Sequence, residues 1–259
     1  MIITPNAYIL GDCLHVMQDI PDKSIDTIIC DLPYQVLNKS NPNAKWDKII
    51  PFEPLWKQYE RIIKDNGAIV LFAQGMFTAQ LMMSNPKLFR YNLIWNKGRV
   101  TGFLNANRMP MRCHEDICVF YKKLPTYNPQ MEKCEPHQRN HGRGSVMRGM
   151  TNNCYGNFVS TPTVISDEKF PKSIIQVKSE HKNGEFYHPT QKPVNLLRYL
   201  IRTYTNENDV ILDNAMGSGS TIVAAIREKR QYIGIEKDEK YFKIAKERID
   251  KEISQPTLF

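Results

Sequence analysis

Short apolar segments that alternate with amphipathic helical patterns constrain the fold of this chain more than any other feature. The predicted strands lie at residues 24–30, 68–72, 91–95, 117–121, 210–212 and 232–235. The predicted helices lie at residues 54–64, 76–83, 194–204, 221–228 and 238–252. Strands alternating with helices of this length build parallel βαβ units, so we predict an α/β sheet with helices on both faces. Such sheets bind ligands at the carboxyl ends of their strands.

The middle of the chain departs from this pattern. Apolar periodicity fades over residues 99–185, and the stretch HQRNHGRGSVMRGMTNNCYGNF is rich in Gly, Asn and Arg. Residues 99–182 hold thirteen Lys and Arg against seven Asp and Glu, and therefore carry six of the eight net positive charges. A long surface loop and a recognition insert both fit this composition. The regional charge favours an insert that faces a phosphate backbone. We predict three segments, 1–98, 99–185 and 186–259.

The composition excludes several other classes of protein. Hydrophobic residues make up 41% and charged residues 24% of the 259 residues, as in ordinary globular proteins. No apolar run approaches the roughly 20 residues that cross a bilayer, and the first residues do not resemble a signal peptide. We therefore expect a cytoplasmic protein with no membrane partner and reduced cysteines. Cys134, His137, His141 and Cys154 fit no common zinc spacing, so no metal site is predicted.

A glycine-rich turn follows one predicted strand near the C-terminus. VILDNAMGSGST, residues 210–221, places Gly217 and Gly219 before a helix, where the backbone can approach a ligand closely. Such turns are about as often purely structural. The next strand ends in YIGIEKD, which places Glu236 nineteen residues after Gly217, within reach of ribose hydroxyls. The missing third glycine and Gly-Lys-Ser/Thr motif disfavour NAD and ATP, which leaves S-adenosylmethionine as the predicted cofactor.

The stretch IDTIICDLPYQ ends a buried strand with the tetrapeptide DLPY, residues 31–34. Alone, this tetrapeptide is more often a turn than a site. Together, DLPY, HPTQKP, DNAMGSGST and GIEKD occur in an order that resembles the amino-methylating DNA methyltransferases of the group called β. The resemblance covers the chain outside the middle segment. It implies a Rossmann-like class I methyltransferase sheet with a circularly permuted motif order and a loop-rich recognition insert.

The resemblance also implies a reaction at an adenine that has left the DNA duplex. The carboxylate of Asp31 and the carbonyl of Leu32 would accept the two N6 hydrogens and turn the nitrogen towards sp³ geometry. Pro33 completes the motif, and Tyr34 would stack on the base. Leu32 stands where the family usually has proline, and it retains the carbonyl. Asp31 favours adenine over cytosine N4, where Ser usually replaces the Asp; RNA or protein-glutamine methylation and a degenerate DNA-binding module are further alternatives.

The predicted cofactor site combines several segments. The GDC segment, residues 11–13, would lie beside the cofactor adenine, although a structural turn fits equally well. In YHPTQKP, His188 and Lys192 would lie near the methionine end, or the segment would only cap a helix. The predicted cofactor residues are Asp12, Cys13, Asp31, His188, Lys192, Asp213, Met216, Gly217, Ser218, Gly219, Ser220, Thr221 and Glu236.

Double-stranded DNA is the predicted macromolecular partner. Flexible loops that carry guanidinium groups reach phosphates and base edges, and the basic middle segment supplies several. The predicted DNA contacts are Arg99, Arg108, Arg112, Arg139, Arg143 and Arg148. A homodimer and a cognate restriction endonuclease are further partners that the resemblance allows.

Overall fold

The computed structural model describes residues 2–34, 47–133, 167–178 and 191–255. Contacts divide the chain into two compact units, a larger one of Met1–Asn128 with Ser173–Phe259, and a smaller one of Pro129–Lys172. Several predicted functional positions lie outside the described residues. They are His188, Arg139, Arg143, Arg148 and the four zinc candidates Cys134, His137, His141 and Cys154.

An eight-stranded sheet forms the centre of the larger unit, and a two-stranded ribbon lies in the smaller one. The strands are β1 (Ala7–Leu10), β2 (Ile25–Cys30), β3 (Ile63–Ala73), β4 (Phe89–Thr101), β5 (Arg112–Phe120), β6 (Glu132–Lys133), β7 (Glu168–Lys169), β8 (Ile174–Gln176), β9 (Val210–Asp213) and β10 (Gln231–Glu236). The large sheet has the order β1-β10-β9-β2-β3-β5-β4-β8, and β6 pairs with β7. The predicted α/β sheet is confirmed.

One strand of the large sheet departs from the parallel pattern. Strand β5 pairs antiparallel with both β3 and β4, while the other pairs in this sheet are parallel. The chain between β4 and β5 covers only residues 102–111, which is too short for the crossover that a parallel neighbour requires. The strand must therefore reverse direction here.

Helices cover both faces of the large sheet. They are α1 (Cys13–Val16), α2 (Phe52–Ile62), α3 (Met76–Ser84), α4 (Val194–Tyr204), α5 (Ser220–Arg227) and α6 (Glu239–Ser254). Along β3 the side chains alternate between two cores: Leu71 packs in the cluster that holds Leu55 of α2, and Phe72 in the cluster that holds Leu200 of α4. This alternation follows from the two-residue period of a strand. Five helices begin and end within two residues of their predicted bounds.

The boundaries predicted for the middle segment do not coincide with the compact units. Strand β4 crosses position 99, and β5 pairs with two strands of the large sheet. The smaller unit, Pro129–Lys172, is accordingly about half as long as the predicted insert. In the described part of the chain, no helix is long and apolar enough to span a membrane.

The chain reverses its winding between two adjacent central strands, β2 and β9. From β2 the chain passes through α2 to β3 on one side, and from β9 through α5 to β10 on the other. The two crossovers thus leave a crevice at the carboxyl ends of β2 and β9, where α/β sheets bind ligands. Asp31 follows β2 and Asp213 ends β9, so both acids lie at this crevice.

Candidate functional site

A cavity of about 890 Å³ opens at the carboxyl edge of the large sheet. Its volume falls within the usual range of ligand pockets. One part of its wall comes from the ends of β1, β9 and β10, and another from β4 and β5. The charged residues of the wall are Asp12, Asp31, Asp47, Lys48, Lys97, Arg99, Glu115, Lys192, Asp213, Glu236, Lys237 and Asp238.

The glycine turn before α5 is fastened by Glu236 at the end of β10. Gly217 and Gly219 have φ of 52° and 78°, a left-handed backbone that other residues adopt only with strain. Glu236 Oε2 accepts a hydrogen bond from the Gly217 amide at 2.8 Å, and its Oε1 accepts one from the Asp238 amide at 2.8 Å. Burial raises the pKa of Glu236, and these amide bonds act in the opposite direction.

Helix α6 packs against the same glycine turn and supports it. A Cβ at Gly219 would lie 3.3 Å from Ala245 Cβ, so a larger residue would press against α6 in addition to straining the left-handed backbone. Arg248 donates hydrogen bonds to the Ser218 carbonyl at 3.1 Å and to Ser220 Oγ at 2.8 Å. The sequence does not identify Arg248, because this residue lies in no motif and only the packing of α6 brings it to the turn.

Three predicted cofactor residues, Asp213, Met216 and Thr221, are buried and lie mainly beneath the glycine turn. Asp213 is buried and accepts a hydrogen bond from the Ala215 amide at 3.1 Å. Burial raises its pKa to about 6, with a hydrogen bond from buried Thr221 opposing the rise. The side chain of Met216 packs in the core, where its Sδ would lie 2.5 Å from a Cβ on Gly234. All three support the turn and contribute to the cavity wall.

The GDC segment serves both as a structural turn and as cavity wall. Asp12 Oδ1 accepts a hydrogen bond from the Leu14 amide at 3.0 Å and caps α1. Its Oδ2 lies 2.7 Å from Lys237 Nζ, and this partner lowers the pKa of Asp12. Burial raises the pKa of Cys13 to about 11, so its thiol is neutral at physiological pH.

Asp31 is the first member of a chain of alternating charges. Its Oδ1 accepts a hydrogen bond from the Tyr34 hydroxyl at 2.5 Å, and its Oδ2 lies 2.5 Å from Lys192 Nζ. Lys192 Nζ also lies 3.3 Å from Glu115 Oε2, and Glu115 Oε1 accepts a hydrogen bond from Lys97 Nζ at 3.2 Å. Two carboxylates and two ammonium groups therefore alternate along the cavity wall.

This arrangement shifts the pKa values of Asp31, Glu115 and Lys192. Burial would lower the pKa of Lys192, but the charges of Asp31 and Glu115 raise it, so Lys192 is protonated. Burial pushes the pKa of Glu115 upwards, but Lys192 and Lys97 lower it below the ordinary value. The pKa of Asp31 is raised by burial and by the charge of Glu115, and Lys192 opposes both. Lys192 is therefore the main group that favours an ionised Asp31.

The rest of the DLPY segment also lines the cavity. Leu32, Pro33 and Tyr34 all contribute to the cavity wall, and the Leu32 side chain is at the same time buried in the core. The Tyr34 ring lies 4.8 Å from the Phe77 ring, with an angle of 30° between their planes. Tyr34 is thus held by a ring contact and by the hydrogen bond to Asp31.

The sequence does not identify Glu115 and Lys97 as site residues. The predicted strands cover only residues 117–121 and 91–95, so both residues lie on the observed strands but outside the predicted bounds. The one available signal is an acid next to the apolar run of β5, in the segment EDICVF. Among the predicted DNA contacts, Arg99 lines the cavity, whereas Arg108 and Arg112 are exposed on or beside the connection from β4 to β5.

Comparisons with known proteins place this arrangement among DNA-modifying enzymes. Residues 25–247 match the family model for N6/N4 methyltransferases, which is described as DNA methylase. The type II methyltransferase M.HinfI of Haemophilus influenzae is 28% identical over 275 residues, covering 94% of this chain and 68% of that protein. The type II methyltransferase M.HpaI of Haemophilus parainfluenzae is 25% identical over 254 residues, covering 95% of this chain and 74% of that protein.

Two solved structures show the same fold at lower identity. The complex of M1.HpyAVI with SAM has a TM-score of 0.63 at 22% identity, covering 94% of this chain and 98% of that chain. The PvuII DNA methyltransferase, named as cytosine-N4-specific, has a TM-score of 0.65 at 16% identity, covering 100% of this chain and 89% of that chain.

Proposed function

This chain belongs to the N6/N4 family of DNA methylases, and we propose that it methylates N6 of an adenine flipped out of double-stranded DNA, at a specific site. The family establishes the class of reaction, methylation of an exocyclic amine of a DNA base with S-adenosylmethionine. The assignment of adenine as the target base rests on one observation. The carboxylate of Asp31 faces the cavity and is paired with protonated Lys192.

The residues around the glycine turn fit S-adenosylmethionine. The Glu236 carboxylate accepts hydrogen bonds from the Gly217 and Asp238 amides, and its remaining acceptor capacity would serve the ribose hydroxyls. Asp12, Cys13 and Lys192 line the cavity; the first two would border the adenosine, and Lys192 would meet the carboxylate of the methionine end. When bound, the cofactor supplies a methyl group on a positively charged sulfur.

Asp31 and Leu32 would prepare the target amine. The lone pair of adenine N6 is delocalised into the ring, which makes the nitrogen a poor nucleophile. If Asp31 accepts one N6 hydrogen and the Leu32 carbonyl accepts the other, the nitrogen turns towards sp³ geometry and its lone pair points at the methyl group. After transfer the nitrogen is cationic and loses a proton readily, so the reaction needs no strong general base.

Lys192 and Tyr34 would keep Asp31 in the state that this role requires. Each oxygen of Asp31 already accepts one hydrogen bond, from Lys192 or from Tyr34, and retains a lone pair for the amine. A protonated Asp31 would offer a weaker acceptor, and Lys192 opposes that protonation. The Tyr34 ring, packed against Phe77, would also offer a stacking face to the extruded base.

Cytosine N4 is the second candidate target. The chemistry at the exocyclic amine is the same, and the PvuII enzyme is named for this base. Asp31 favours adenine, because cytosine-N4 enzymes of this family usually have Ser at the corresponding position.

Product analysis tests the choice of base. DNA from a host that lacks DNA methylation is incubated with the protein and S-adenosylmethionine carrying a tritiated methyl group, and the digested nucleosides are then separated. We expect the label in N6-methyl-2′-deoxyadenosine. Label in N4-methyl-2′-deoxycytidine would contradict the assignment to adenine, and unlabelled DNA would contradict the proposed function as a whole.

The proposed function also requires a surface that recognises DNA, and it allows protein partners. We propose that the basic middle segment, residues 99–185, faces DNA, with its arginines reaching phosphates and base edges. The relatives named type II methyltransferases support a cognate endonuclease that acts on the same site in the bacterial cytoplasm. A homodimer is also compatible with this function.

A further inference from the structure

The connection between β4 and β5 projects from the edge of the sheet that carries the proposed site. Strand β4 runs parallel to β2, which Asp31 follows, and to β10, which ends at Glu236, so its last residues emerge at the same carboxyl edge. Arg99 and Thr101 at the end of β4 line the cavity. We call residues 99–112 the hairpin tip. It begins at the cavity wall and extends beyond it.

The hairpin tip has a defined backbone. Thr101 pairs with Arg112 at its base, and Thr101 Oγ1 donates a hydrogen bond to the Arg112 carbonyl at 3.3 Å. Within the tip, the Asn105 amide donates to the Gly102 carbonyl at 3.0 Å, and the Met109 amide donates to the Asn105 carbonyl at 3.0 Å. The side chains of the tip are therefore presented on a turn that is already formed.

Large apolar side chains of this tip are exposed. Phe103 is 74% exposed and Leu104 is 85% exposed, and Val100, Met109 and Met111 are exposed as well. Exposed apolar patches that adjoin a ligand cavity mark interaction surfaces more often than isolated exposed residues do.

The charge of the hairpin tip indicates the chemistry of the partner that it would bind. The tip carries Arg99, Arg108 and Arg112 and contains no Asp or Glu. If two copies of the chain paired through this surface, two sets of three arginines would face each other without a counter-charge. A polyanion would pair with the arginines, and apolar surfaces in its interior would accept Phe103 and Leu104. Duplex DNA has both features.

We propose that the hairpin tip enters the DNA at the target site, with Phe103 and Leu104 filling the gap in the base stack and the arginines contacting the flanking phosphates. This inference rests on the proposed function, because a gap arises only if the target base leaves the helix. Removing a base from the stack costs a few kcal/mol, and apolar side chains inserted between base steps offset this cost. The tip lies beside the cavity that would receive the extruded base.

Two DNA duplexes test the inference, both carrying the sequence that the parent protein methylates. In one duplex the target base is normally paired, and in the other it lies opposite an abasic position, where extrusion is easier. The variant Phe103→Ser with Leu104→Ser should transfer methyl groups to the paired duplex about tenfold more slowly than the parent, or slower. On the abasic duplex it should come within about threefold of the parent, because less of the stack needs support.

Leu124 provides the matched control. It is 78% exposed, and it follows β5 at the opposite edge of the sheet, where the Lys123 amide donates to the Asp65 carbonyl. The variant Leu124→Ser should behave like the parent on both duplexes. Binding of a fluorescent duplex gives a second readout, which should weaken in the hairpin variant and stay unchanged in the control.

Three results would overturn the inference. The hairpin variant could match the parent on the paired duplex, or it could be impaired to the same degree on both duplexes. Light scattering could also show a dimeric parent and a monomeric variant, which would make the tip a contact between copies. A parent protein that methylates no DNA would instead contradict the proposed function, and binding of a fluorescent duplex would still report whether the tip contacts DNA.

Discussion

The Nζ of Lys192 lies 2.5 Å from Oδ2 of Asp31, although 161 residues separate them in the sequence. Lys192 precedes α4, and Asp31 follows β2, so the fold of the sheet brings the two together. Glu115 on β5 also lies beside Lys192, with 3.3 Å between Nζ and Oε2. The charge of the proposed catalytic carboxylate therefore depends on two partners from distant segments, which act on it in opposite directions.

Changes to these two partners should shift the pH dependence of methyl transfer in opposite directions. Lys192→Met removes the positive charge that lowers the pKa of Asp31, so the acidic limb of the pH profile should move to higher pH. Glu115→Gln removes a negative charge that raises the pKa of Asp31, so the limb should move to lower pH. Single-turnover rates between pH 4 and 8 test both, and shifts in the same direction would contradict the proposed interaction.

Tyr34→Phe and Tyr34→Ala should separate stacking from hydrogen bonding. Phe keeps the ring but loses the hydrogen bond to Asp31, so much of the rate should remain while the acidic limb moves to higher pH. Ala removes the stacking face, which is worth about 1–3 kcal/mol per base, and the rate should fall by about tenfold or more. Equal losses in the two variants, measured at the pH optimum, would refute the stacking role.

Glu236→Ala should weaken binding of S-adenosylmethionine by about 2–3 kcal/mol, the scale of losing hydrogen bonds to a charged group. The carboxylate also holds the Gly217 and Asp238 amides, so the turn loses a support at the same time. Glu239→Ala, an exposed acid on the first turn of α6, is the matched control. Calorimetry checks both, and an unchanged dissociation constant for Glu236→Ala would move the adenosine elsewhere.

Asp213 should make the folded protein less stable as pH rises from about 4 to 6. Its pKa is raised from the ordinary 3.8 to about 6, so in this window the folded state binds a proton that the unfolded state has lost. The difference corresponds to about 3 kcal/mol, present below pH 4 and lost above pH 6. Asp213→Asn should remove this pH dependence. Urea unfolding at several pH values tests it, and an unchanged slope would contradict the assignment.

The sequence predicted those parts of the fold and site that depend on local pattern. Helix α4 was predicted with its observed bounds because VNLLRYLIRTY buries one continuous apolar stripe. Strands β4 and β5 extend beyond their predicted apolar centres, because hydrogen bonding between them, rather than burial, determines where they end. Their antiparallel pairing follows from the short connection between them.

The same distinction holds for the site, where sequence motifs identify some residues and tertiary contacts place the others. Asp31 and Glu236 belong to motifs with fixed spacing, and both face the cavity. The motifs do not reveal that Glu236 holds the glycine turn. Lys97, Glu115 and Arg248 acquire their contacts only through strand order and helix packing, and the acid in the segment EDICVF is the one local signal among them.

The central claim is that the Asp31 carboxylate prepares the target amine for methyl transfer, and the single-turnover rate of Asp31→Ala tests it most directly. The variant is mixed with saturating S-adenosylmethionine and DNA that the parent methylates, and cofactor affinity is measured on the same preparation. We expect transfer to fall by about a hundredfold to a thousandfold, the scale of removing a polarising group, while cofactor affinity stays close to that of the parent. Near-parental transfer by Asp31→Ala would contradict the account.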